Sequence, residues 1–275
     1  MSEILIIVDG MADLPGHETD IYMPALHSIP VKEYVMTETR PDTVPSSERA
    51  IMSLLGYDIS RLHISRPRLE AMALRLDTAG KNVFRVNITT PDGRPADITD
   101  AEAREIAMNA GSDFHAMDRY RMLLVSPEEC PQLPDGLTLI NSVQQLDRVA
   151  PLPTPTIFIG ATHLIEGIAM HTGAKFIRPE GATGHTDTNI KTKTRTALNC
   201  LDHGYDRIVI HIEGTDEAAH MRDARLKADL LRQIDLYMIR QLLETGINLT
   251  VCADHITDAV TGCHHVGPVA IRSTK

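Results

Sequence analysis

The sequence lacks tryptophan altogether, and aromatic residues make up only 4% of its 275 residues. Its four cysteines are scattered and form no CxxC pair, which argues against a disulfide framework and a thiolate zinc site. It has no excess of basic residues, since the formal net charge is −10, and this argues against general nucleic-acid binding. The longest apolar run near the start, Ile4–Val8, is too short to cross a bilayer or to form the hydrophobic region of a signal peptide. We therefore expect a cytoplasmic protein with no membrane partner.

What the sequence does contain is a series of short apolar runs, each ending in small or polar residues. The runs are Ile4–Val8, Val83–Ile88, Met122–Val125, Thr156–Ile159, Arg207–Ile212 and Leu249–Ala253. Near-continuous apolar runs of this length are typical of strands that are buried on both faces of a parallel sheet. Helical patterns lie between them, the clearest over residues 224–244. The alternation predicts an α/β fold with a mainly parallel sheet flanked by helices.

The middle of the chain has a different character. Residues 78–155 contain the turn-forming stretch 89–93, a helical pattern over residues 100–110 and a proline-rich exit. We therefore predict a small α+β cap over residues 78–155, inserted into a core that is built from residues 1–77 and 156–275.

Acidic and imidazole side chains follow three of the predicted strands. The set is Asp9, Asp216, His220, Asp254, His255 and the pair His264-His265. Ligands of open α/β sheets bind at the carboxyl ends of the strands, so we expect these side chains to converge. Taken singly, each has a simpler explanation as a cap or a surface pair. Together they predict a dinuclear site, and the mixture of carboxylate and imidazole suits Mn²⁺ or Zn²⁺ better than Ca²⁺ or Mg²⁺ alone.

Two polar segments allow more than one interpretation. A helical pattern begins after Pro45-Ser46-Ser47-Glu48, where a serine commonly serves as a helix N-cap. The same position suits a nucleophile, because a helix N-terminus stabilises an anion and a metal activates a serine hydroxyl. The loop over residues 181–189 is either an ordinary surface loop or a set of backbone amides that hold an anion.

Seven ordered segments carry a resemblance to a known family. They are 8–13 (VDGMAD), 45–48 (PSSE), 53–58 (SLLGYD), 69–71 (LEA), 181–184 (GATG), 211–220 (HIEGTDEAAH) and 253–255 (ADH). In this combination the chain resembles the archaeal-type, cofactor-independent phosphoglycerate mutases of the alkaline phosphatase superfamily. The resemblance implies an alkaline-phosphatase-like core that binds metal and transfers phosphoryl groups, with the cap as substrate domain.

The resemblance also implies roles for individual residues. The catalytic residues would be Ser47, rather than Ser46, with Lys193 and Arg85. One metal would be held by Asp9, Ser47, Asp254 and His255, and the other by Asp216, His220 and His264, with His265 as a near rival of His264. The substrate would be bound by Arg66, Arg85, Asn87, Arg121 and Lys193.

The implied activity is an isomerase reaction of glycolysis, the interconversion of 2- and 3-phosphoglycerate through a phosphoserine. It would require two divalent ions (Mn²⁺ or Zn²⁺, with Mg²⁺ as a further choice) but no 2,3-bisphosphoglycerate, and its partner would be a small phosphorylated hydroxy acid. The chain departs from the family in a shortened cap, in Ser46 where the family has Gly, and in Met122 where it has His. A homoserine-kinase-like phosphotransferase, a phosphatase and a non-catalytic phospholigand-binding descendant therefore stay open as alternatives.

Overall fold

The computed structural model describes residues 2–17, 21–38, 43–140 and 143–275. The chain divides into two compact units: unit 1 comprises Met1–Leu62 and Val149–Lys275, and unit 2 comprises His63–Arg148. Among the described residues, no helix is both long and apolar enough to cross a membrane.

The helices and strands have the following bounds. In chain order the strands are β1 (Glu3–Val8), β2 (Val31–Met36), β3 (Asn82–Ile88), β4 (Phe114–Asp118), β5 (Arg121–Ser126), β6 (Leu137–Ile140), β7 (Thr156–Ile159), β8 (Lys175–Ile177), β9 (Arg207–Ile212), β10 (Asn248–Ala253), β11 (Ile256–Asp258), β12 (Cys263–His265) and β13 (Pro268–Ser273). The helices are α1 (Pro24–Ser28), α2 (Ser47–Leu54), α3 (Arg66–Ala73), α4 (Asp100–Ala110), α5 (His163–His171), α6 (Ile190–Asp202), α7 (Gly214–His220), α8 (Ala224–Ile234) and α9 (Arg240–Leu243), with a π-helical turn over Asp235–Ile239.

Unit 1 is built on a sheet whose described strands run in the order β2-β13-β10-β1-β9-β7-β8. β1 pairs in parallel with both β10 and β9, and Val8 lies opposite Ala253 on one side and Ile212 on the other. β7 and β8 continue the parallel part, whereas β13 and β2 are antiparallel. The predicted mainly parallel sheet is therefore confirmed, and its register aligns the carboxyl ends of the three central strands.

Apolar side chains on one face of this sheet pack on amphipathic helices. Ile4 and Ile6 of β1 share a fully buried cluster with Leu231, Ile234 and Met238. The last three are spaced three and four residues apart, so they form a single stripe along α8 and the π-helical turn. Each such side chain contributes about 1.5–3 kcal/mol by leaving water. This burial fixes the central strands against the helical layer.

The region from 224 to 244 is not the single α-helix that its periodicity predicts, because the π-helical turn separates α8 from α9. Asp235 lies in this turn and is only 5% exposed. Its carboxylate accepts hydrogen bonds from the backbone N–H groups of Ala25 (3.3 Å) and Leu26 (2.7 Å), at the start of α1. Those amides have no partner within their own helix. Asp235 thus caps α1 across the fold.

Unit 2 contains a four-stranded antiparallel sheet in the order β4-β5-β3-β6. Val86 and Met122 face α4, where they pack on Ala103 and Ala107. α4 coincides with the helix predicted over residues 100–110, and Thr99 begins it with a capping box in which Thr99 and Glu102 bond each other's backbone. Unit 2 is thus α+β, as the sequence predicts for the cap.

The bounds of unit 2 differ from the predicted 78–155. α3 precedes residue 78 but packs on the unit 2 sheet, where Ala71 contacts Val83, Leu123 and Val125. The two ends of the unit are joined by the backbone N–H of His63, which donates to the Asp147 carboxylate (2.8 Å), while Asp147 N–H donates to the His63 carbonyl (2.9 Å). These tertiary contacts leave no mark in a local sequence pattern. The functional roles assigned to the two parts stay predictions.

Replacing Asp235 by alanine is expected to lower the free energy of unfolding by about 1–2 kcal/mol, because two backbone donors at the start of α1 lose their acceptor. Chemical denaturation measures the change. The matched control is Asp229→Ala on α8, which removes an exposed pair with Arg232 and should cost less than about 0.5 kcal/mol. Equal losses in the two variants would contradict the capping role of Asp235.

Candidate metal centre

The aligned ends of β1, β9 and β10 bring three carboxylates to one edge of the sheet. Asp9, Glu213 and Asp254 each directly follow one of these strands, and all three are buried.

Gly10 directly follows Asp9 and has a φ of +60°. A Cβ at Gly10 would lie 2.6 Å from Thr257 Oγ1, so both the backbone conformation and the space require glycine there.

Ser47 lies beside Asp9 and His255. It is the first residue of α2 and is 5% exposed, whereas Ser46 occupies the N-cap position. Within the described residues, Ser46 makes no side-chain capping hydrogen bond. The Ser47 Oγ lies 3.4 Å from Asp9 Oδ2 and 3.3 Å from His255 Nε2. Of the two interpretations of this serine pair, the arrangement favours a chemical role for Ser47 over a capping one.

The orientation of His255 is fixed by Thr257. The Thr257 hydroxyl donates to Asp216 Oδ1 (2.5 Å), so it can only accept from His255 Nδ1, which lies 3.0 Å away. The proton of a neutral His255 is therefore on Nδ1. Its Nε2 lone pair faces Asp9 Oδ1 at 3.3 Å and Asp254 Oδ2 at 3.4 Å.

Asp216, His220 and His264 form a second, more exposed group. His220 Nε2 lies 3.2 Å from Asp216 Oδ2, and His264 Nε2 lies 3.3 Å from Asp216 Oδ1. Each Nδ1 lies within hydrogen-bond distance of a carbonyl, Gly262 O for His220 (2.9 Å) and Pro45 O for His264 (2.8 Å). Carbonyls only accept, so both Nδ1 atoms carry protons. The two Nε2 atoms are only 3.0 Å apart, and in the neutral rings both present lone pairs.

These arrangements fit divalent cations. Two lone pairs at 3.0 Å, or a lone pair facing a carboxylate, repel each other unless a positive charge lies between them. Asp9 Oδ1 and Asp254 Oδ2 are also buried without a hydrogen-bond partner among the described residues. Metal-binding histidines usually donate their second N–H to a carbonyl or carboxylate, as His220 and His264 do here. Candidate ligand atoms of Asp9, Asp216 and His255 lie within 4.8 Å of one another, so the two groups adjoin.

The electrostatics of the protein residues alone are unfavourable at Asp9. Burial raises the pKa of Asp9 well above its ordinary value, and the charges of Asp254, Asp216 and Glu213 raise it further. Burial also acts to raise the pKa of Asp216, but His220 and His264 outweigh burial when their rings are positively charged and donate to this carboxylate, and they then hold its pKa well below the usual range. The group around Asp9 and Asp254 thus concentrates negative charge that the neighbouring side chains do not balance.

Lys193 lies on α6 and is completely buried. Its Nζ donates to the His211 carbonyl (2.7 Å) and lies 3.4 Å from Glu213 Oε2. Burial lowers the pKa of Lys193, while Glu213 acts in the opposite direction. The structure therefore places Lys193 against Glu213, and its roles in catalysis and substrate binding stay predictions.

The remaining predicted residues all belong to unit 2. Arg66 and Arg85 share one carboxylate, with their Nε atoms 3.0 and 3.1 Å from the two oxygens of Glu70. Asn87 on β3 lies opposite Arg121 on β5 in the sheet register. The structure thus brings Arg66 and Arg85 together, and pairs Asn87 with Arg121.

The loop over residues 181–189 is closed by its own hydrogen bonds. The backbone N–H groups of Thr183 and His185 donate to hydroxyls within the loop, and that of Thr186 donates to Glu217 on α7. His185 Nδ1 lies 2.6 Å from the same Glu217 carboxylate. Of the two interpretations of this loop, an anion cradle loses support, because these amides already have acceptors.

Three residues of the site were not singled out by the sequence. His211 and Glu213 lie in the segment 211–220 that carries the family resemblance, but no role was assigned to either of them, and Thr257 follows the predicted ligand His255 by two residues. His211 also stands out as a lone imidazole inside an otherwise apolar strand. All three are buried or bonded to predicted ligands.

Comparison with known proteins identifies the family to which the chain belongs. A model described as the metalloenzyme superfamily matches residues 1–274. The chain is 28% identical to the 2,3-bisphosphoglycerate-independent phosphoglycerate mutase of Methanothrix thermoacetophila, an alignment that covers 98% of this chain and 89% of that protein. It is 25% identical to phosphoglycerate mutase 2 of the same type from Methanothermobacter thermautotrophicus, over 98% and 87%. These alignments span 354 and 352 positions, so the relatives carry segments that this chain lacks.

Solved structures share the fold. The PH0037 protein from Pyrococcus horikoshii matches with a TM-score of 0.80 at 23% identity, covering 99% of this chain and 84% of that one. The cofactor-independent phosphoglycerate mutase from Thermoplasma acidophilum matches with a TM-score of 0.59 at 17% identity, covering 100% and 90%. The predicted fold class and the resemblance drawn from the motifs are both confirmed. The chain belongs to the metalloenzyme superfamily, with archaeal cofactor-independent phosphoglycerate mutases among its relatives.

Proposed function

We propose that this protein is a divalent-metal-dependent phosphotransferase that interconverts 2- and 3-phosphoglycerate through a phosphoserine at Ser47. The observation that carries the proposal is the position of the Ser47 hydroxyl, buried at the start of α2 and within 3.4 Å of both Asp9 Oδ2 and His255 Nε2. A serine that merely capped α2 would have no reason to face these groups. The names of the curated relatives support the same substrate.

The donor atoms support two cation positions, one at Asp9, Ser47, Asp254 and His255 and the other at Asp216, His220 and His264. Their mixture of carboxylate, hydroxyl and imidazole suits Mn²⁺ or Zn²⁺. Bound there, the cations would supply Lewis acidity, which lowers the pKa of the serine hydroxyl and offsets charge on the transferring phosphoryl group.

The chain's own residues then carry the transfer in two balanced halves. In the first, the Ser47 Oγ–P bond forms as the P–O bond of the phosphoglycerate breaks, and the proton lost by Ser47 is returned to the leaving glycerate oxygen. In the second, the other hydroxyl of glycerate attacks the phosphorus, the Ser47 Oγ–P bond breaks, and the proton of that hydroxyl passes to Ser47 Oγ. Ser47 is the first residue of α2. Because the first N–H groups of an α-helix have no acceptor within the helix, this position favours an anionic phosphoryl group.

Unit 2 is proposed to bind the anionic parts of the substrate. Arg66 and Arg85 lie together, with their Nε atoms 3.0 and 3.1 Å from the two oxygens of Glu70. Guanidinium groups bind a phosphate or a carboxylate with paired hydrogen bonds, so this arginine pair suits the anionic groups of a phosphoglycerate. Asn87 and Arg121 would add donors from the neighbouring strand positions.

Ser47→Ala is expected to reduce conversion of 3-phosphoglycerate to 2-phosphoglycerate by about 10⁴-fold or more, because the nucleophile is removed. The conversion is measured with Mn²⁺ present, and mass spectrometry of the wild-type protein should locate phosphate on Ser47. Ser46→Ala is the matched control and should keep most of the activity, since the Ser46 side chain makes no capping bond within the described residues. Wild-type turnover in Ser47→Ala would refute the covalent mechanism.

His264→Ala is expected to lose one of the two bound Mn²⁺ ions, measured by elemental analysis and by titration calorimetry. The reason is that its Nε2 lies against Asp216 and His220. The neighbouring His265→Ala should bind Mn²⁺ like the wild type, because the His265 Nε2 lies 3.1 Å from Thr261 Oγ1 instead. An unchanged stoichiometry in His264→Ala, or a loss only in His265→Ala, would contradict the assigned ligand.

A phosphatase is the second candidate, because the relatives carry segments that this chain lacks. Less protein around the site would leave more access for water, which then competes with glycerate for the phosphoserine. Product analysis separates the two: the mutase gives 2-phosphoglycerate with little inorganic phosphate, and the phosphatase gives stoichiometric phosphate and free glycerate.

A further inference from the structure

His211 is a buried imidazole whose two ring nitrogens both face carboxylates. It lies on β9 and is 1% exposed. Its Nδ1 lies 3.1 Å from Glu213 Oε1, and its Nε2 lies 3.7 Å from Asp9 Oδ2. Neither nitrogen makes a hydrogen bond of good geometry with any of the described residues. A buried polar group in this state is costly, so the position calls for an additional partner.

Glu213 decides which nitrogen carries the proton. Its Oε1 accepts a hydrogen bond from Thr162 Oγ1 (3.0 Å), and its Oε2 lies 3.4 Å from the Lys193 ammonium. The Thr162 hydroxyl and the Lys193 ammonium both donate to this carboxylate, so Glu213 acts as an acceptor toward its neighbours. An accepting Oε1 at 3.1 Å favours the proton of His211 on Nδ1. The Nε2 lone pair is then turned toward Asp9.

The separation between His211 Nε2 and Asp9 Oδ2 is close to the distance between two donors around one ion. At 3.7 Å it is too long for a hydrogen bond. Donors that each lie about 2.1 Å from a cation, at angles of about 90–120°, are roughly 3.0–3.6 Å apart. Candidate ligand atoms of Asp9, His211 and Asp254 all lie within 4.8 Å of one another, and each of these residues is buried. Asp254 Oδ2 is likewise without a hydrogen-bond partner among the described residues.

We propose that His211 is an additional metal ligand, whose Nε2 joins Asp9 and Asp254 on the same divalent cation. Glu213 and Lys193 are positioning residues in this arrangement, because they hold the imidazole in the tautomer that binds. The proposal rests on the metal loading in the proposed function, but it does not depend on the phosphoserine or on the substrate.

The first test uses the wild-type protein loaded with Co²⁺. A coordinated imidazole shows its remaining N–H proton as a strongly shifted, exchangeable NMR signal. Four such signals are expected, from His211, His220, His255 and His264. If the wild-type protein shows only three such signals and all three persist in His211→Gln, the proposal is overturned.

The second test is the affinity for Mn²⁺, measured by titration calorimetry. His211→Phe should weaken binding at one site by at least about tenfold, whereas His211→Gln should recover part of the loss through its side-chain oxygen. His171→Phe is the control, since it removes a partly buried imidazole that belongs to none of the candidate ligand groups. Wild-type affinity in both His211 variants would refute a ligand role. The readouts are independent of turnover, so failure of the mutase activity in wild-type protein would leave them interpretable.

Discussion

The in-register parallel pairing of β1 with both β9 and β10 is the constraint on which the rest of the site depends. Because Val8 lies opposite Ile212 and Ala253, the next residue of each strand emerges at the same edge. Those next residues are all carboxylates, so hydrogen bonding between backbones sets the spacing of charges that would otherwise repel. The apolar layer beneath holds this register, since slipping by one residue would turn Ile4 and Ile6 away from the helices.

The charge balance of the edge explains the residues that surround it. Among the described residues, Asp9 and Asp254 each keep a buried oxygen without a hydrogen-bond partner, whereas Glu213 is matched by the Lys193 ammonium. Asp216 faces the rings of His220 and His264, and neutral rings leave its negative charge in place. The protein thus neutralises Glu213 with its own side chain and leaves the charges of Asp9, Asp216 and Asp254 available. A cation-binding centre requires this pattern, because a carboxylate that is paired with an ammonium has little charge left to offer an ion.

The sequence predicted best what is determined locally. The apolar runs that end in Asp9 and Asp254 indicated the strands and the edge where they finish, and the helix over residues 100–110 follows from its periodicity and its threonine cap. Asp235 shows the limit: its position in a helical repeat indicates nothing of the α1 amides it caps or of the π-helical turn. The same holds for α3, which joins unit 2 through tertiary packing alone. The burial of Lys193 could not be predicted either, because a helical pattern does not say that a lysine will find a buried carboxylate.

The absence of a side chain at Gly10 has a consequence for how this protein can diverge. A Cβ there would approach not only Thr257 Oγ1 but also Asp216 Oδ1, at 2.8 Å, so a side chain at this one position would disturb both the residue that orients His255 and a ligand of the second group. Neither group can therefore be altered in evolution without regard to the other. A side chain at position 10 would require Thr257 to lose its hydroxyl and Asp216 on α7 to move away. Each of these changes alone leaves a clash, so positions 10, 216 and 257 constrain one another.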